Sequence, residues 1–400
     1  MTRFVPTSID ELRAAIATAL AAEEPVELLA GGTKRGLGRP LQTPHVVDLT
    51  RLSGIRDYAP NELVLTAGAA TPLTAIDRAL NSAGQMLAFE PPDWRALLGQ
   101  VHGSPTLGGI LACNLSGPRR IKAGAARDHF LGFSAVSGRA EAFKAGGKVV
   151  KNVTGYDLPK LMAGSYGTLA ALAEVTVKVL PRPETAATVL IAGVAPDDAV
   201  RAMAAALGSP HEISGAAYIP AATRRPAPLP ATIGIVALRI EGPEPSVAFR
   251  RDALLAELAG AEKVALSDAD TAALWRDVAN VAPLSGLADR AVWRVSVAPS
   301  RGAEVAQSIA RQVDTTWFLD WGGGLLWLAV VDPGDAGAAV IRAALAGQGH
   351  ATLVRGMPGL RAAVPVFQPQ PTPLAALSRR IKEGFDPRYI LNPSRMVEGI

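Results

Sequence analysis

The chain has 400 residues, 49% of them hydrophobic and 19% charged, which is typical of a globular protein and excludes a disordered or fibrous one. Its formal net charge of +4 is spread along the sequence without a patch of Lys and Arg interleaved with aromatic residues, so nucleic-acid binding is not expected. Cys113 is the single cysteine, which excludes intrachain disulfides and fits a reducing compartment.

The N-terminal segment predicts a helix and not a signal peptide. Asp10 and Glu11 interrupt the stretch in which a signal peptide needs an apolar core. Ser8 and Glu11 have the spacing of a capping box, and the following apolar residues share one helix face: Ile9, Leu12, Ile16 and Leu20. The most apolar run, residues 322–331, is about half the ~20 residues of a membrane-spanning helix. A soluble, cytoplasmic protein is expected, with membrane contact only through a partner.

A strand over residues 26–30 leads into the first glycine loop, "GGTKRGLG", and then into a short strand, "HVVDL". Gly31 and Gly36 have Walker spacing, but Leu37 and Gly38 stand where Lys and Ser/Thr are needed. A Rossmann loop opens a helix, whereas this one leads to another strand. The pattern favours a nest of backbone N–H groups for phosphate; taken alone, the loop is also compatible with a plain glycine turn.

Two further glycine segments follow a strand, "ELVLTAGA", and a helix, "TPLTAIDRALNSAG", for which Thr71 is the predicted N-cap. In "HGSPTLGGILACNLSGPRR", Thr106 is expected to cap a short helix that faces an anion, and Gly108 and Gly109 let a ligand approach the backbone. The third segment is "KNVTGYDLPKLMAGSYGTLAALAEVTVKVL". Three such loops imply one long ligand, and FAD is the best match.

The sequence changes character near residues 181–184, where "LPRPETA" forms a proline-punctuated link. Beyond it, a pattern of short strands and intervening helices occurs twice. This pattern favours a split β-α-β plait over a single long parallel sheet. The proline-rich stretch "PAATRRPAPLPA" is predicted to be a surface loop. The predicted fold class is therefore α+β, with one domain over residues 1–182 and another over residues 183–400.

The order of these motifs resembles FAD-linked oxidases of the vanillyl-alcohol-oxidase fold, and most closely the FAD-binding subunits of bacterial glycolate oxidases. The residues that carry the resemblance are the first loop, "PTLGG…N.SGPRR…G..RDHFLG", "KNVTGYDLPKLMAGSYGTL", "FLDWGGGLLWL" and "FDPRYILNPSRM". The resemblance implies a PCMH-type FAD-binding domain over residues 1–182. It also implies a ferredoxin-like cap over residues 183–400, whose end (about 385–400) returns to the FAD domain.

The same resemblance assigns FAD contacts by position. The pyrophosphate loop would be Gly31, Gly32, Thr33, Lys34, Arg35 and Gly36. The second segment would contribute Ser104, Thr106, Leu107, Gly108, Gly109, Asn114, Ser116 and Gly117. Gly155, Tyr156 and Asp157 would run beside the flavin, Leu172 would contact the adenine side, and Asn392 would approach the isoalloxazine ring.

Departures from the family pattern limit what this chain is expected to do alone. Covalent members place His in the first loop or Cys before the Pro-Thr of the second, whereas here Ser104 precedes Pro105, so FAD is expected to be held non-covalently. Catalytic relatives carry a C-terminal histidine cluster, which this chain lacks. His129 is the nearest candidate base, although a packed histidine is favoured, so no catalytic residue is assigned. Trp321 is expected to line the flavin or a subunit interface. No metal site is expected.

The expected function is that of an FAD-binding subunit of a glycolate oxidase complex, in which a catalytic flavin subunit and an iron–sulfur subunit complete the oxidation of glycolate to glyoxylate. Such a complex could reach the inner membrane through its partners. The alternative is a self-sufficient FAD-dependent dehydrogenase of another 2-hydroxy acid or alcohol, which the missing histidine cluster disfavours. A scaffold with a vestigial flavin site is disfavoured by the three intact glycine segments.

Overall fold

The computed structural model describes residues 2–148, 155–221, 223, 233–258, 262–331 and 334–399. Most of the proline-rich stretch over residues 220–231 and the start of the third glycine segment lie outside these ranges. Helices and strands are mixed along the whole described chain, which confirms the α+β class.

The first half contains a three-stranded parallel sheet, a five-stranded antiparallel sheet and a two-stranded pair. The parallel sheet has the order β1-β3-β2, the antiparallel sheet has the order β4-β5-β9-β7-β8, and β6 pairs with β10. Its strands are β1 (Thr2–Phe4), β2 (Val26–Leu29), β3 (His45–Asp48), β4 (Ile55–Ala59), β5 (Val64–Gly68), β6 (Gln85–Met86), β7 (Phe130–Ser137), β8 (Ala142–Gly146), β9 (Ala170–Lys178) and β10 (Leu180–Pro181). Its helices are α1 (Ile9–Ala22), α2 (Leu73–Ser82), α3 (Leu107–Ala112), α4 (Arg120–Ala123) and α5 (Leu158–Met162).

The starts of α1 and α2 differ in how well the sequence predicts the residue that caps them. The Ser8 hydroxyl accepts from the Glu11 amide at 3.2 Å, as predicted, but the Glu11 carboxylate accepts from the backbone N–H of Thr7 and not from that of Ser8. The predicted N-cap of α2 is wrong. Pro72 occupies that position, because the Thr71 hydroxyl donates to the Gly68 carbonyl oxygen at 2.6 Å and is committed to the preceding turn.

The second half is one eight-stranded antiparallel sheet with the order β14-β11-β13-β12-β16-β17-β15-β18. Its strands are β11 (Thr185–Ala192), β12 (Gly215–Ile219), β13 (Ile235–Gly242), β14 (Glu262–Leu266), β15 (Ala291–Ser296), β16 (Thr315–Asp320), β17 (Leu325–Val330) and β18 (His350–Arg355). Its helices are α6 (Pro196–Leu207), α7 (Glu244–Glu257), α8 (Asp268–Ala279), α9 (Ala282–Ser285), α10 (Gly302–Ala310), α11 (Ala338–Leu345), α12 (Pro358–Ala363) and α13 (Thr372–Phe385).

This sheet contains the same β-α-β-β-α-β unit twice. Each unit has the strand order 4-1-3-2, and the second strands of the two units, β12 and β16, pair at Tyr218 and Leu319 to join them. The repeated plait predicted from the alternation of strands and helices is confirmed. The predicted division at residue 182 falls between β10 and β11.

The two faces of the large sheet are buried against different partners. Trp293 points to the core shared with α6, α7, α10 and α11, whereas its neighbour Val292 points to the core shared with the first half. Because side chains alternate along a strand, Arg294 lies on the face that turns to the first half. The space between the sheet and the first half is therefore where residues of both halves can meet.

A group of four charged side chains joins the two halves. Arg119 donates to Glu241 at 3.0 and 2.6 Å, and Arg239 donates to Glu90 at 2.7 and 2.9 Å. Burial alone would raise the pKa of Glu241, but the hydrogen bonds from Arg119 and the charges of both arginines outweigh it and lower the pKa to about 2. The four side chains form an alternating cluster that is largely shielded from solvent.

No helix in the described ranges combines the length and the apolar character needed to cross a membrane, and the longest helices have 14 residues.

Glu241→Gln should lower the free energy of unfolding by about 3 kcal/mol at pH 7, because it removes the negative charge that Glu241 provides to the partly buried guanidinium groups of Arg119 and Arg239. A lowered pKa means that Glu241 contributes its full stabilisation above its unfolded value near 4.5 and loses it as the pH falls through about 2. Urea unfolding at pH 7 and pH 3 measures this, with the exposed Glu262→Gln as control. The same loss at both pH values would contradict the assignment.

Candidate functional site

A cleft opens beside the end of β2, between the first glycine loop and helix α3. Its volume, including the open space at its mouth, is about 810 Å³. Its lining consists of residues 27–35, Leu41, Leu49, Ala69, Thr106, Gly108, Gly109, Ala112, Cys113, Tyr166, Gly167, Ala170, Leu172, Asn392 and Arg395. Residues from all three glycine segments and from the C-terminal motif therefore meet at one place.

The first and second glycine segments touch backbone to backbone. A Cβ atom on Gly31 would lie 1.8 Å from the Ser104 carbonyl oxygen, and one on Gly103 would lie 2.0 Å from the Gly31 carbonyl oxygen. Neither contact leaves room for a side chain. These two glycines are thus required by the fold of the cleft itself, before any ligand is considered.

Helix α3 starts at the wall of the cleft. The Thr106 hydroxyl accepts from the Gly109 amide at 3.3 Å, which confirms the predicted cap. The Gly108 amide donates to the Ala69 carbonyl oxygen at 2.8 Å, and a Cβ atom at Gly108 would lie 2.7 Å from the Ala69 side chain. The helix start is therefore packed tightly onto the end of β5, with Gly109 turned towards Lys34.

Lys34 is a cation of the cleft with no carboxylate at ion-pair distance in the described part of the chain. Its ammonium group donates to the Thr33 hydroxyl at 3.2 Å, and the space at Gly109 is open to it, since a Cβ there would lie 3.9 Å from Nζ. Burial lowers the pKa of Lys34, and the nearby Asp93 carboxylate partly offsets this lowering. A half-buried cation in a glycine-rich loop favours binding of an anion such as a diphosphate.

Arg35 and Gly32 are placed differently within the same loop. The Arg35 guanidinium is bound in a two-point ion pair to Glu27, at 2.8 and 2.5 Å, and both residues line the cleft. Gly32 has φ +73°, and the nearest atom to a Cβ there is 3.9 Å away. Glycine is favoured at this position because the backbone is left-handed, and not because neighbouring atoms leave no room for a side chain.

The C-terminal motif holds two walls of the cleft together. The Asn392 side-chain amide donates to the Tyr166 carbonyl oxygen at 2.8 Å, and its oxygen accepts from the Leu28 amide at 2.8 Å. Arg395 donates to the carbonyl oxygens of Lys34 and Arg35 at 2.9 and 3.2 Å. Asn392 thus lines the cleft with both polar atoms of its side chain bound to backbone.

The lining residues that the sequence prediction missed include three with reactive or polar side chains: Cys113, Tyr166 and Arg395. Arg395 had a signal, since it lies in the same C-terminal motif as Asn392. Tyr166 has φ +55° and packs its ring edge-on against Phe367 at 5.1 Å. Burial raises the pKa of both the Tyr166 phenol and the Cys113 thiol, so each stays protonated at neutral pH.

Other predicted FAD contacts lie outside the cleft lining: Gly36, Ser104, Leu107, Asn114, Ser116, Gly117, Gly155, Tyr156 and Asp157. Asn114 and Ser116 use their side-chain oxygens to accept from the amides of Arg127 and Ala126. Tyr156 is 90% exposed, and Asp157 caps α5 by accepting from the Lys160 amide. For this group, contact with FAD stays a prediction.

Two residues singled out for possible chemistry are held elsewhere. His129 packs on Phe89 at 5.4 Å and contacts the Ala123 carbonyl oxygen through Nε2 at 2.9 Å, and burial lowers the pKa of its imidazole. Trp321 is buried, and its indole N–H donates to the Gly117 carbonyl oxygen at 3.1 Å. Trp321 therefore joins the two halves outside the cleft lining, and its contact with the flavin or with another subunit stays a prediction.

Comparisons with known proteins agree with this geometry. The family model described as an FAD binding domain matches residues 3–146. The glycolate oxidase subunit GlcE of Escherichia coli (strain K12) is 35% identical over 379 residues, covering 94% of each chain. The glycolate oxidase subunit GlcD of Bacillus subtilis (strain 168) is 39% identical over 113 residues, 28% of this chain and 22% of that one. A 4-ethylphenol oxidase from Gulosibacter chungangensis has the same fold, with a TM-score of 0.72 at 14% identity, over 99% of this chain and 89% of that one.

These matches confirm FAD as the cofactor, and the cleft fits it. The ammonium group of Lys34, which forms no ion pair in the described part of the chain, lies in the first glycine loop, where a diphosphate needs positive charge, and Ala170 and Leu172 offer apolar contact. The charge and the lining of the cleft therefore suit a dinucleotide.

Gly32→Asp should abolish retention of FAD, because a carboxylate would face the diphosphate at close range. Gly32→Asn is the matched control, since Asn tolerates the same left-handed backbone without the charge. The FAD content of the purified variants, read from the flavin absorbance, measures the effect. Retention of FAD by the Asp variant at the level of the Asn variant would contradict the placement of the diphosphate.

Lys34→Met should weaken FAD binding roughly 10- to 100-fold, because it removes a charge-assisted contact to the diphosphate while keeping the length of the side chain. The exposed Lys144→Met serves as control. Titration of the apoprotein with FAD, followed by quenching of flavin fluorescence, gives both affinities. Equal affinities for the two variants would show that Lys34 does not contact the cofactor.

Proposed function

Since the chain belongs to the FAD-linked oxidase family that contains the glycolate oxidase subunit GlcE, we propose that it is the FAD-binding subunit of a complex that oxidises glycolate to glyoxylate. The observation that carries this proposal is the 35% identity with GlcE over 94% of both chains. All three glycine segments of this chain also meet at one cleft. The match covers nearly the full length of both chains, and this chain has a cofactor cleft. This argues that the two proteins share a role and not only an FAD-binding domain.

The chemistry of the cleft supports a division of labour with partner subunits. Oxidation of a 2-hydroxy acid needs a base for the hydroxyl proton, and among the described lining residues there is no histidine. One cysteine also falls short of the four thiolates that hold an iron–sulfur cluster, so electrons must leave the flavin for another protein or a small acceptor. We therefore assign the base to a catalytic flavin subunit and the onward electron path to an iron–sulfur subunit.

The residues of this chain would bind and orient the cofactor. When bound, FAD supplies the acceptor for the hydride that leaves the carbon carrying the hydroxyl group. Lys34 and the backbone amides of the first glycine loop would hold the diphosphate, and Asn392 fixes the position of the Tyr166 turn. Tyr166 keeps its phenolic proton at neutral pH, so it can act as a hydrogen-bond donor at the end of the cleft. We place the complex in the cytoplasm, with membrane contact only through partner subunits.

The FAD-loaded chain alone should keep an oxidised flavin spectrum when glycolate is added without oxygen, because the described residues that line the cleft include no histidine to accept the hydroxyl proton. The same flavin should be reduced when the two partner subunits are present. Absorbance spectra of the chain and of the co-purified complex, each with and without glycolate, test this. Complete bleaching of the isolated chain by glycolate would mean a self-sufficient dehydrogenase and would contradict the proposal.

A further inference from the structure

A second large cavity is lined by helix α13, by the segment over residues 365–370 and by the end of the described chain. Its volume, including the open space at its mouth, is about 1430 Å³. Most of its wall is apolar, and the side chains that provide this surface include Leu161, Val366, Phe367, Ile381 and Met396. Such a wall favours a ligand that buries apolar surface of its own.

Helix α13 leaves part of its apolar face uncovered beside this cavity. Leu374 and Leu377, in the N-terminal part of the helix, are 48% and 43% exposed. Ile381 and Phe385, further along the same face, pack against the large core that both halves of the chain share. Residues at this spacing normally share one buried face of a helix. The N-terminal part of α13 therefore borders space that a ligand can fill.

The charged side chains of the cavity wall are already paired. Arg39 forms an ion pair with Glu398 at 3.3 Å, and Lys382 forms one with Asp386 at 2.6 Å. Arg39, Lys382 and Glu398 are the charged residues of the described wall. Because each of them has a partner of opposite charge, a charged ligand would enter a mostly apolar space without a counter-ion. The cavity thus favours an uncharged ligand.

Two side-chain amides of the wall have a hydrogen-bond donor to offer. The Gln368 side-chain oxygen accepts from the Ala351 backbone amide at 3.3 Å, and the Gln370 side-chain oxygen accepts from the Ser378 hydroxyl at 3.0 Å. Within the described residues, neither of the two NH2 groups donates a hydrogen bond. An NH2 group of this kind only donates, so its partner on a ligand must be an acceptor such as a carbonyl oxygen.

The cavity and the FAD cleft share one turn of the chain. Ser165 and Thr168 line the cavity, whereas Tyr166 and Gly167 line the cleft. An aromatic contact also joins the two walls, because the ring of Phe367 in the cavity packs edge-on against the Tyr166 ring at 5.1 Å. A ligand in the cavity would therefore touch the turn that borders the cofactor site.

We propose that this cavity binds an uncharged, largely apolar molecule that carries a carbonyl oxygen, with the oxygen directed towards the amides of Gln368 and Gln370. The proposal rests on the apolar wall, the paired charges and the two available NH2 groups. It goes beyond the proposed function and does not depend on the oxidation of glycolate.

Equilibrium dialysis of the FAD-loaded full chain against duroquinone, a small uncharged ring with two carbonyl oxygens, tests this site. Duroquinone should bind, and 2,4,6-trimethylbenzoate, an anion of similar size, should not. Gln368→Leu and Gln370→Leu should each weaken the binding of duroquinone roughly 3- to 10-fold, because each removes a hydrogen-bond donor. Neither variant should change the binding of durene, which has the same methylated ring without the oxygens.

A pair of neighbouring variants on α13 tests whether binding takes place in the cavity. Ala375→Trp should weaken the binding of both duroquinone and durene roughly 10-fold or more, because the indole would occupy the space that the ligand needs. Ala376→Trp is the matched control, since Ala376 is exposed and lies outside the cavity lining. It should bind both ligands as the wild type does.

Four results would overturn the site: no binding of duroquinone by the wild type, equal binding of trimethylbenzoate, equal affinities of the Ala375 and Ala376 variants, or unchanged binding of duroquinone by both Gln variants. Flavin absorbance checks that each variant is folded, and the Gln variants decide if Ala375→Trp is not. Glycolate oxidation by the complex is measured separately. Its failure would contradict the proposed function and leave the site standing.

Discussion

The geometry of the cleft depends on two hydrogen bonds of the Asn392 side chain. Its oxygen accepts from the Leu28 amide in β2, and its amide group donates to the Tyr166 carbonyl oxygen, so that it joins two segments that are far apart in the sequence. The segment that carries Asn392 is itself held by a buried ion pair. Lys382 donates to Asp386 and to the Thr168 carbonyl oxygen, both at 2.6 Å, while Asp386 accepts from two backbone amides of the returning chain.

The hydrogen bonds of Lys382 and Asp386 offset the free-energy cost of removing these two charges from water. Lys382 makes three hydrogen bonds, the third to the Leu391 carbonyl oxygen at 3.2 Å. The last residues of the chain thereby become part of the first half, where Arg395 also donates to the backbone of the first loop. Both walls of the cofactor cleft are thus positioned by a segment that follows the entire second half.

The charged groups between the halves fall into two kinds with different consequences. Arg119 and Arg239 are paired with Glu241 and Glu90, which fixes the large sheet against the first half. Arg120 and Arg294 lie nearby on the Trp321 ring and form no ion pair within the described residues. Ion pairs thus join the two halves in the first case, and stacking on an aromatic ring holds the guanidinium groups in the second.

Local and repeating features were predictable from the sequence, whereas contacts between distant segments were not. The cap at Thr106 and the twice-repeated plait follow from capping chemistry and from the alternation of strands and helices, and the structure confirms both. The glycine pattern located the cleft, but it could not show that Gly31 is required by the Ser104 backbone. Thr71 was misjudged and Arg395 was missed because their roles depend on contacts with more distant segments, to Gly54 and the first loop respectively.

A crystal structure of the chain with bound FAD would test the central claim most directly. The account predicts the diphosphate within hydrogen-bond distance of the Lys34 ammonium group and the backbone amides of the first glycine loop, with the flavin ring directed towards Tyr166. The claim would be contradicted by FAD bound in a different cavity, such as the one that Arg119, Arg239 and Trp275 line, with the cleft beside β2 left empty.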